Sequence, residues 1–148
     1  MGSYQQNLYQ IVFSTKYRKP VLLKKNRTML FNYIIGIITN KKCFVHEING
    51  IEDHIHIILS LHPSVALALL IKDIKVGSNL YIKENNLFEN FTCWAEGYGA
   101  FTYSQSAKKN LINYVKNQEA HHAKETSIEE LVRLLREHGI FFDPKYLE

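Results

Sequence analysis

An α+β domain of β-α-β-β-α-β order, with helices added at its C-terminal end, is what the sequence predicts. Three observations lead there: short segments whose apolar residues alternate every second position, longer ones whose apolar residues recur at helical spacing, and the regular succession of the two kinds along 148 residues. No repeat, low-complexity stretch or linker interrupts them, so the elements share one core in a single domain, residues 1–148. The economical packing of that order is a ferredoxin-like antiparallel sheet with the first two helices on one face and the first and third strands in the middle.

Residues 8–15 (LYQIVFST) are rich in β-branched and aromatic side chains, and Tyr9, Ile11 and Phe13 fall on one side of a strand. Beyond the break at Pro20, residues 26–40 place Met29, Leu30, Tyr33, Ile34, Ile37 and Ile38 at helical spacing, with Lys41 and Lys42 at the end where cations favour the helix dipole. Phe44, His46 and Ile48 alternate with Val45 and Glu47, and Asn49-Gly50 is a strong turn signal before the next strand, residues 53–61 (DHIHIILSL). His62-Pro63-Ser64 breaks that strand. Pro63 or Ser64 starts a helix running to about Lys83 through Leu67, Leu70, Ile71, Ile74 and Tyr81. Asn85-Asn86 loosens the chain before residues 91–103, a strand interrupted at Gly97-Tyr98-Gly99. Ser104 or Ser106 caps a helix to about His122, and Ser127-Ile-Glu-Glu opens another through a capping box and ends before Gly139.

The formal net charge of +4 is unevenly spread. The first 46 residues hold no acid and eight bases (Lys16, Arg18, Lys19, Lys24, Lys25, Arg27, Lys41, Lys42), so the remaining ten bases face all fourteen acids. Such asymmetry within one domain fits a face that binds a polyanion, or a merely solvated basic surface. No apolar run approaches the ~20 residues that span a bilayer, and the N-terminus lacks the pattern of a signal peptide. Two distant cysteines, Cys43 and Cys93, make neither a disulfide framework nor a CxxC metal site, which points to a reduced, cytoplasmic setting.

Residues two apart on a strand lie on the same side, roughly 6.6 Å apart. His54 and His56 therefore face one way while Ile55, Ile57, Leu59 and Leu61 face the helix-covered core. Two such imidazoles either share a metal or are polar residues on an uncovered sheet face. A third alternating histidine, as nucleotide hydrolases of the histidine-triad family carry, is absent, because Ile58 holds that place. On the later helix Tyr114 and Gln118 stand at i and i+4 and so share a face, together with Leu111 and Val115. They are core-facing residues or a reactive pair. His121 and His122 follow near the helix end, a position favourable for solvated cations.

The HIH of a central strand, followed some sixty residues on by a helical tyrosine with glutamine four places later, resembles the single-tyrosine transposases of the HUH superfamily, of the insertion-sequence 200/605 and REP-associated types. The likeness extends through YQIVFSTKYRKPVL, GYGAF and NYVKNQEAHH, covering about residues 8–122, with a helical tail over residues 123–148 that is similar to a subset of such proteins. It implies that His54, His56 and Gln118 bind a divalent metal, Mg²⁺ or Mn²⁺, and that Tyr114 attacks the scissile phosphate of single-stranded DNA. The products are a 5′-phosphotyrosine and a free 3′-hydroxyl that can later rejoin strands. It further implies recognition of DNA hairpins and a homodimer in which the tyrosine helix completes the partner's metal site. The base for Tyr114 is not identified; Lys116, His121 and His122 are near it in sequence.

The basic stretch then has a candidate role. Lys16, Tyr17, Arg18 and Lys19 combine phosphate-holding charge with an aromatic that can stack a base, and Lys41 and Lys42 extend the set beyond the first helix. The rival readings are a non-catalytic RRM-like nucleic-acid-binding module, a metal-dependent hydrolase that uses water, and a domesticated REP-associated nuclease. Against the first, CFVHEI does not match the aromatic RNA-reading motif of RRM strands.

Overall fold

The computed structural model describes residues 2–147. Its elements are β1 (Leu8–Ser14), α1 (Lys24–Asn40), β2 (Phe44–Gly50), β3 (His54–Ser60), α2 (Leu67–Glu84), β4 (Gly99–Tyr103), α3 (Lys108–Lys116), α4 (Gln118–His122) and α5 (Ser127–Glu137). The strands form one antiparallel sheet in the order β2-β3-β1-β4, the ferredoxin-like arrangement, and β1 and β3 lie at its centre with Ile11 opposite Ile57 and Ser14 opposite His54. Among the described residues no helix is long and apolar enough to cross a membrane.

Period-two alternation sorts the two central strands. Ile11, Phe13, Ile55, Ile57 and Leu59 face α1 and α2, where Leu30, Ile34, Ile38, Leu70, Ile71 and Ile74 complete the main core. The other face is not open, contrary to one reading of the histidines. Leu8 and Ile58 pack against Leu111 and Val115 of α3, and Val12 and Phe101 against Leu134 and Leu135 of α5. Each fully buried side chain of this kind contributes roughly 1.5–3 kcal/mol, so the C-terminal helices are docked by their own apolar stripes. The molecule has three layers, with the sheet in the middle, and β3 is buried along nearly its whole length.

Four local expectations are corrected. Asn49-Gly50 ends β2 and is not the turn, which lies in residues 51–53 and closes through the Ile51 N–H donating to the His54 carbonyl (3.1 Å). Gly50 is needed because a Cβ there would collide with that same carbonyl. Of residues 91–103, only Gly99–Tyr103 join the sheet. The preceding loop is pinned by a bridge from Thr15 to Trp94, whose indole N–H donates to the Ser78 hydroxyl (2.9 Å) and whose ring meets Phe13 edge-on. The helix expected to run on to His122 breaks at Asn117 (ψ 23°), dividing α3 from α4. Asn49 covers that break, its side-chain amide donating to the carbonyls of Val115 (3.0 Å) and Lys116 (3.1 Å). Finally, the capping box of α5 uses Thr126 and Glu129, one residue earlier than the Ser127 frame.

Candidate active site

His54 and His56 stand on the C-terminal-helix side of β3 and are both fully buried. Each ring is held through Nδ1. The His54 Nδ1–H donates to Asp53 Oδ1 (2.7 Å), while His56 Nδ1 accepts from the amide of Gln10 on β1 (3.1 Å), itself fixed by the Tyr103 hydroxyl donating to Gln10 Oε1 (2.7 Å). Both Nε2 atoms are thereby turned toward the space between the sheet and α3–α5.

The break at Asn117 brings Gln118 into that space. It is fully buried, with Oε1 3.2 Å from His54 Nε2. Tyr114, one turn earlier, is half-buried, and its ring centroid lies 6.1 Å from that of His56. The three expected metal ligands and the expected nucleophile thus meet inside one chain. The partner-completed arrangement is not needed to assemble them, because the tyrosine helix packs on its own sheet.

The sequence reading missed Glu130, although it noted the SIEE segment. Because Glu129 serves the cap, Glu130 falls on the buried face of α5 and is 1% exposed. Its Oε1 lies 2.7 Å from His56 Nε2 and 3.1 Å from Nε2 of both His54 and His122, and its Oε2 accepts from the Gln118 amide (3.2 Å) and from the Tyr114 hydroxyl. Arg133, one turn on, donates from Nη2 to the Tyr114 oxygen (2.7 Å). His121 and His122 belong to the site and not to solvent. His121 Nε2 is 3.2 Å from the Tyr114 hydroxyl and 2.9 Å from Glu125 Oε2, and His122 donates from Nδ1 to the Glu125 carbonyl (2.6 Å). Lys116 reaches instead toward Glu47 at the surface.

The electrostatics follow from burial and these contacts. Burial opposes charge on His54, but the hydrogen bonds to Asp53 and Glu130 outweigh it and raise its pKa to about 9. At His56 burial wins and lowers the pKa to about 4. Burial also opposes charge on Glu130, yet the hydrogen bonds from His122, His54 and His56 hold its carboxyl far below the usual range. The Tyr114 phenol is pushed up, first by burial and then by the ionised Glu130 beside it. The resting site is therefore an imidazolium–carboxylate pair beside a neutral imidazole.

The donor set suits a divalent cation: imidazole nitrogens, an amide oxygen and a carboxylate, with the ligand atoms of His54, His56, His122 and Glu130 all within 4.8 Å of one another. Asp53 already accepts from His54 Nδ1–H as the partner of a metal-binding histidine does, and Gln10 would do the same for His56 with its amide turned to present Oε1.

The basic stretch divides. Lys16, Tyr17, Arg18 and Lys19 form a tight turn directly after β1, at the His54 end of the sheet. Tyr17 is 65% exposed with Lys16 Nζ 5.0 Å from its ring centroid, and Arg18 donates to Ser127 (3.2 Å), whose hydroxyl donates to Asp53 Oδ2 (3.1 Å). Lys41 and Lys42 lie just before β2, whose first residue Phe44 pairs with Ser60 at the far end of β3. They are not brought to the site, and Lys41 is paired with Asp73 (3.1 Å). Lys24 and Arg27 also spend their charge internally, on Glu119 and on Glu52 and Glu119.

An RNA-reading module needs an open sheet face, and here α3 and α5 cover it. The comparisons agree with the other reading. The family model for IS200-like transposases matches residues 3–118. The transposase of insertion sequence element IS200 from Salmonella typhimurium is 25% identical over 115 residues, covering 74% of this chain and 75% of its own. The ISDra2 transposase TnpA of Deinococcus radiodurans is 25% identical over 122 residues, covering 79% and 87%. Among solved structures, a REP-associated tyrosine transposase bound to a REP hairpin superposes with a TM-score of 0.61 at 14% identity, over 82% of this chain and 74% of that one. A Deinococcus radiodurans protein described as a transposase gives 0.60 at 21%, over 80% and 95%. These two likenesses show a shared fold. With residues 3–118 matched, the chain belongs to the IS200-like transposase family.

Proposed function

We propose that this transposase cuts and rejoins single-stranded DNA next to hairpins, in a divalent-metal-dependent reaction whose intermediate is a 5′-phosphotyrosine at Tyr114. The observation that carries the reading is the convergence, within one chain, of the Tyr114 hydroxyl with His54, His56 and Gln118 around one buried point. Mg²⁺ or Mn²⁺ held by those three residues would supply Lewis acidity to the scissile phosphate. Tyr114 forms the new bond to phosphorus, and the bond from phosphorus to the 3′ oxygen breaks. The phenol proton leaves toward His121, whose Nε2 lies 3.2 Å from the hydroxyl, and the 3′ oxygen takes up a proton. Arg133 steadies the negative charge that gathers on the tyrosine oxygen. The phosphoester kept in the protein link lets a 3′-hydroxyl reverse the reaction, so strands are rejoined without a nucleotide cofactor.

Lys16, Tyr17, Arg18 and Lys19, beside the site, hold the DNA near the cleavage point, whereas Lys41 and Lys42 are too far along the sheet to join them. The structural neighbour bound to a REP hairpin supports a hairpin substrate. In this reading the enzyme works in the cytoplasm, and a homodimer brings two complete sites to two DNA ends without exchanging tyrosine helices.

The test is incubation with end-labelled single-stranded oligonucleotides carrying a hairpin, with Mg²⁺ or Mn²⁺, resolved on denaturing gels. An adduct formed by the wild type and lost in Tyr114→Phe, in His56→Ala and under chelation is expected. Cleavage without an adduct would make the protein a water-using hydrolase, and binding without cleavage a non-catalytic module.

A further inference from the structure

A ligand set of two imidazoles and an amide does not account for the carboxylate buried among them. Glu130 Oε1 sits 2.7–3.1 Å from three Nε2 atoms, while Gln118 Oε1 sits 3.0 Å from His122 Nε2 and 3.2 Å from His54 Nε2. Bonds of roughly 2.1 Å to a divalent ion put adjacent ligand atoms about 3 Å apart. The five groups thus already have the spacing of a coordination shell.

We propose that Glu130, on the C-terminal helix, is a metal ligand, joining His54, His56 and Gln118. The inference rests on the metal-dependent reading above, and on what metal binding does to Glu130. To ligate a cation, His54 and His56 turn unprotonated Nε2 atoms toward it. Glu130 Oε1 then loses two of its three imidazole donors, keeping only His122, and at 1% exposure it has no water to replace them. A buried carboxylate facing imidazole lone pairs is stable only if it shares their cation.

The surroundings are built to deliver it. The Thr126–Glu129 capping box leaves Glu130 free, Ser127 is tied to Asp53, and Asp53 holds His54, so the first turn of α5 and a metal-ligating ring share one anchor. His122, fixed through the Glu125 carbonyl, positions the carboxylate from the open side. Residue 130 lies on the C-terminal segment, beyond the 3–118 that match the family model. Metal binding consequently tightens a helix that its apolar stripe has already docked.

The test uses the full chain with Co²⁺ and Mn²⁺ alone, without DNA. Calorimetry gives the affinity, visible absorption of Co²⁺ reports its ligands, and hydrogen exchange reports residues 127–137. Relative to wild type, Glu130→Gln should bind Mn²⁺ at least about tenfold more weakly with altered Co²⁺ bands. Metal should slow exchange over residues 127–137 in the wild type and not in the variant. Binding by Glu130→Gln within twofold of wild type, or tighter, would overturn the proposal, since a carboxylate that merely occludes the site would do that. Should the variant fold poorly, the wild type alone decides, because a metal that leaves exchange of residues 127–137 unchanged is not held by α5. His56→Ala separates the two levels. Its loss of binding supports the underlying metal site whatever Glu130 does, whereas undiminished binding sinks both.

Discussion

Replacing Gln10 by alanine should loosen the metal site from the neighbouring strand β1. Gln10 is fully buried and bridges two groups, donating to His56 Nδ1 (3.1 Å) and accepting from the Tyr103 hydroxyl (2.7 Å). It touches none of the expected ligand atoms, so its effect on a cation passes through the orientation of His56. Loss of such an orienting partner costs 10- to 100-fold in metal affinity, or ~1.4–2.7 kcal/mol at 1.4 kcal/mol per tenfold. The fold suffers separately. The buried His56 Nδ1 loses its partner at a cost of about 1–3 kcal/mol, while the half-buried Tyr103 hydroxyl can turn to water, so urea denaturation should show a loss of about 1–3 kcal/mol. Gln10→Glu, which offers a carboxylate acceptor to the Nδ1–H that His56 carries when its Nε2 ligates a metal, should retain most of the affinity. Titration of the folded variants with Mn²⁺ measures the effect, and a Gln10→Ala affinity within twofold of wild type would refute the idea that Gln10 sets the ring.

Stability of the metal-free chain should peak near pH 6.5. The His54 pKa is raised to about 9, so its contribution is fully present below the unfolded value of ~6.5 and is lost as pH rises through 9. His56 is lowered to about 4, so its preference for the neutral ring erodes stability as pH falls from that unfolded value toward 4, and the depressed Glu130 and Asp53 carboxyls add a further loss below about pH 4.5. Urea melts in chelator from pH 4 to 9.5 check this, and a steady rise to pH 9 would contradict it. Mixing Tyr114→Phe with His56→Ala protein should restore no cleavage, because each chain assembles its own site; restored activity in the mixture would show exchanged helices. Lys16→Ala with Lys19→Ala should weaken hairpin-DNA binding and make the log–log salt slope shallower by up to about 0.9 per lost phosphate contact. Lys42→Ala, at the far end of the sheet, should leave both unchanged.

The strand that carries the histidines was legible because period-two alternation is strict there: Ile55, Ile57 and Leu59 must face one layer, so His54 and His56 must face the other. Tyr114 and Gln118 were legible as a helical pair, though not the break at Asn117 that aims Gln118, since it depends on Asn49 from a distant strand. That same asparagine had been spent on a turn, a local signal overridden by the close approach that Gly50 permits. Glu130 was hidden by ambiguity. Thr126-Ser-Ile-Glu-Glu offers two capping frames one residue apart, and sequence alone does not choose. A usable signal was present in the spacing, since Glu130 shares a helical face with Ser127 and Leu134, and a carboxylate on a face that packs inward must have a buried partner. Gln10 and Asp53 carried no comparable signal, because their partners lie across the sheet or at its edge.

A covalent link at Tyr114 distinguishes strand transfer from simple hydrolysis. After reaction with a hairpin-bearing single-stranded oligonucleotide and nuclease and protease digestion, mass spectrometry of the peptides should find a 5′-phosphodeoxynucleotide remnant on Tyr114 and on no other residue. A remnant on a different side chain, or cleaved DNA with every peptide unmodified, would contradict it.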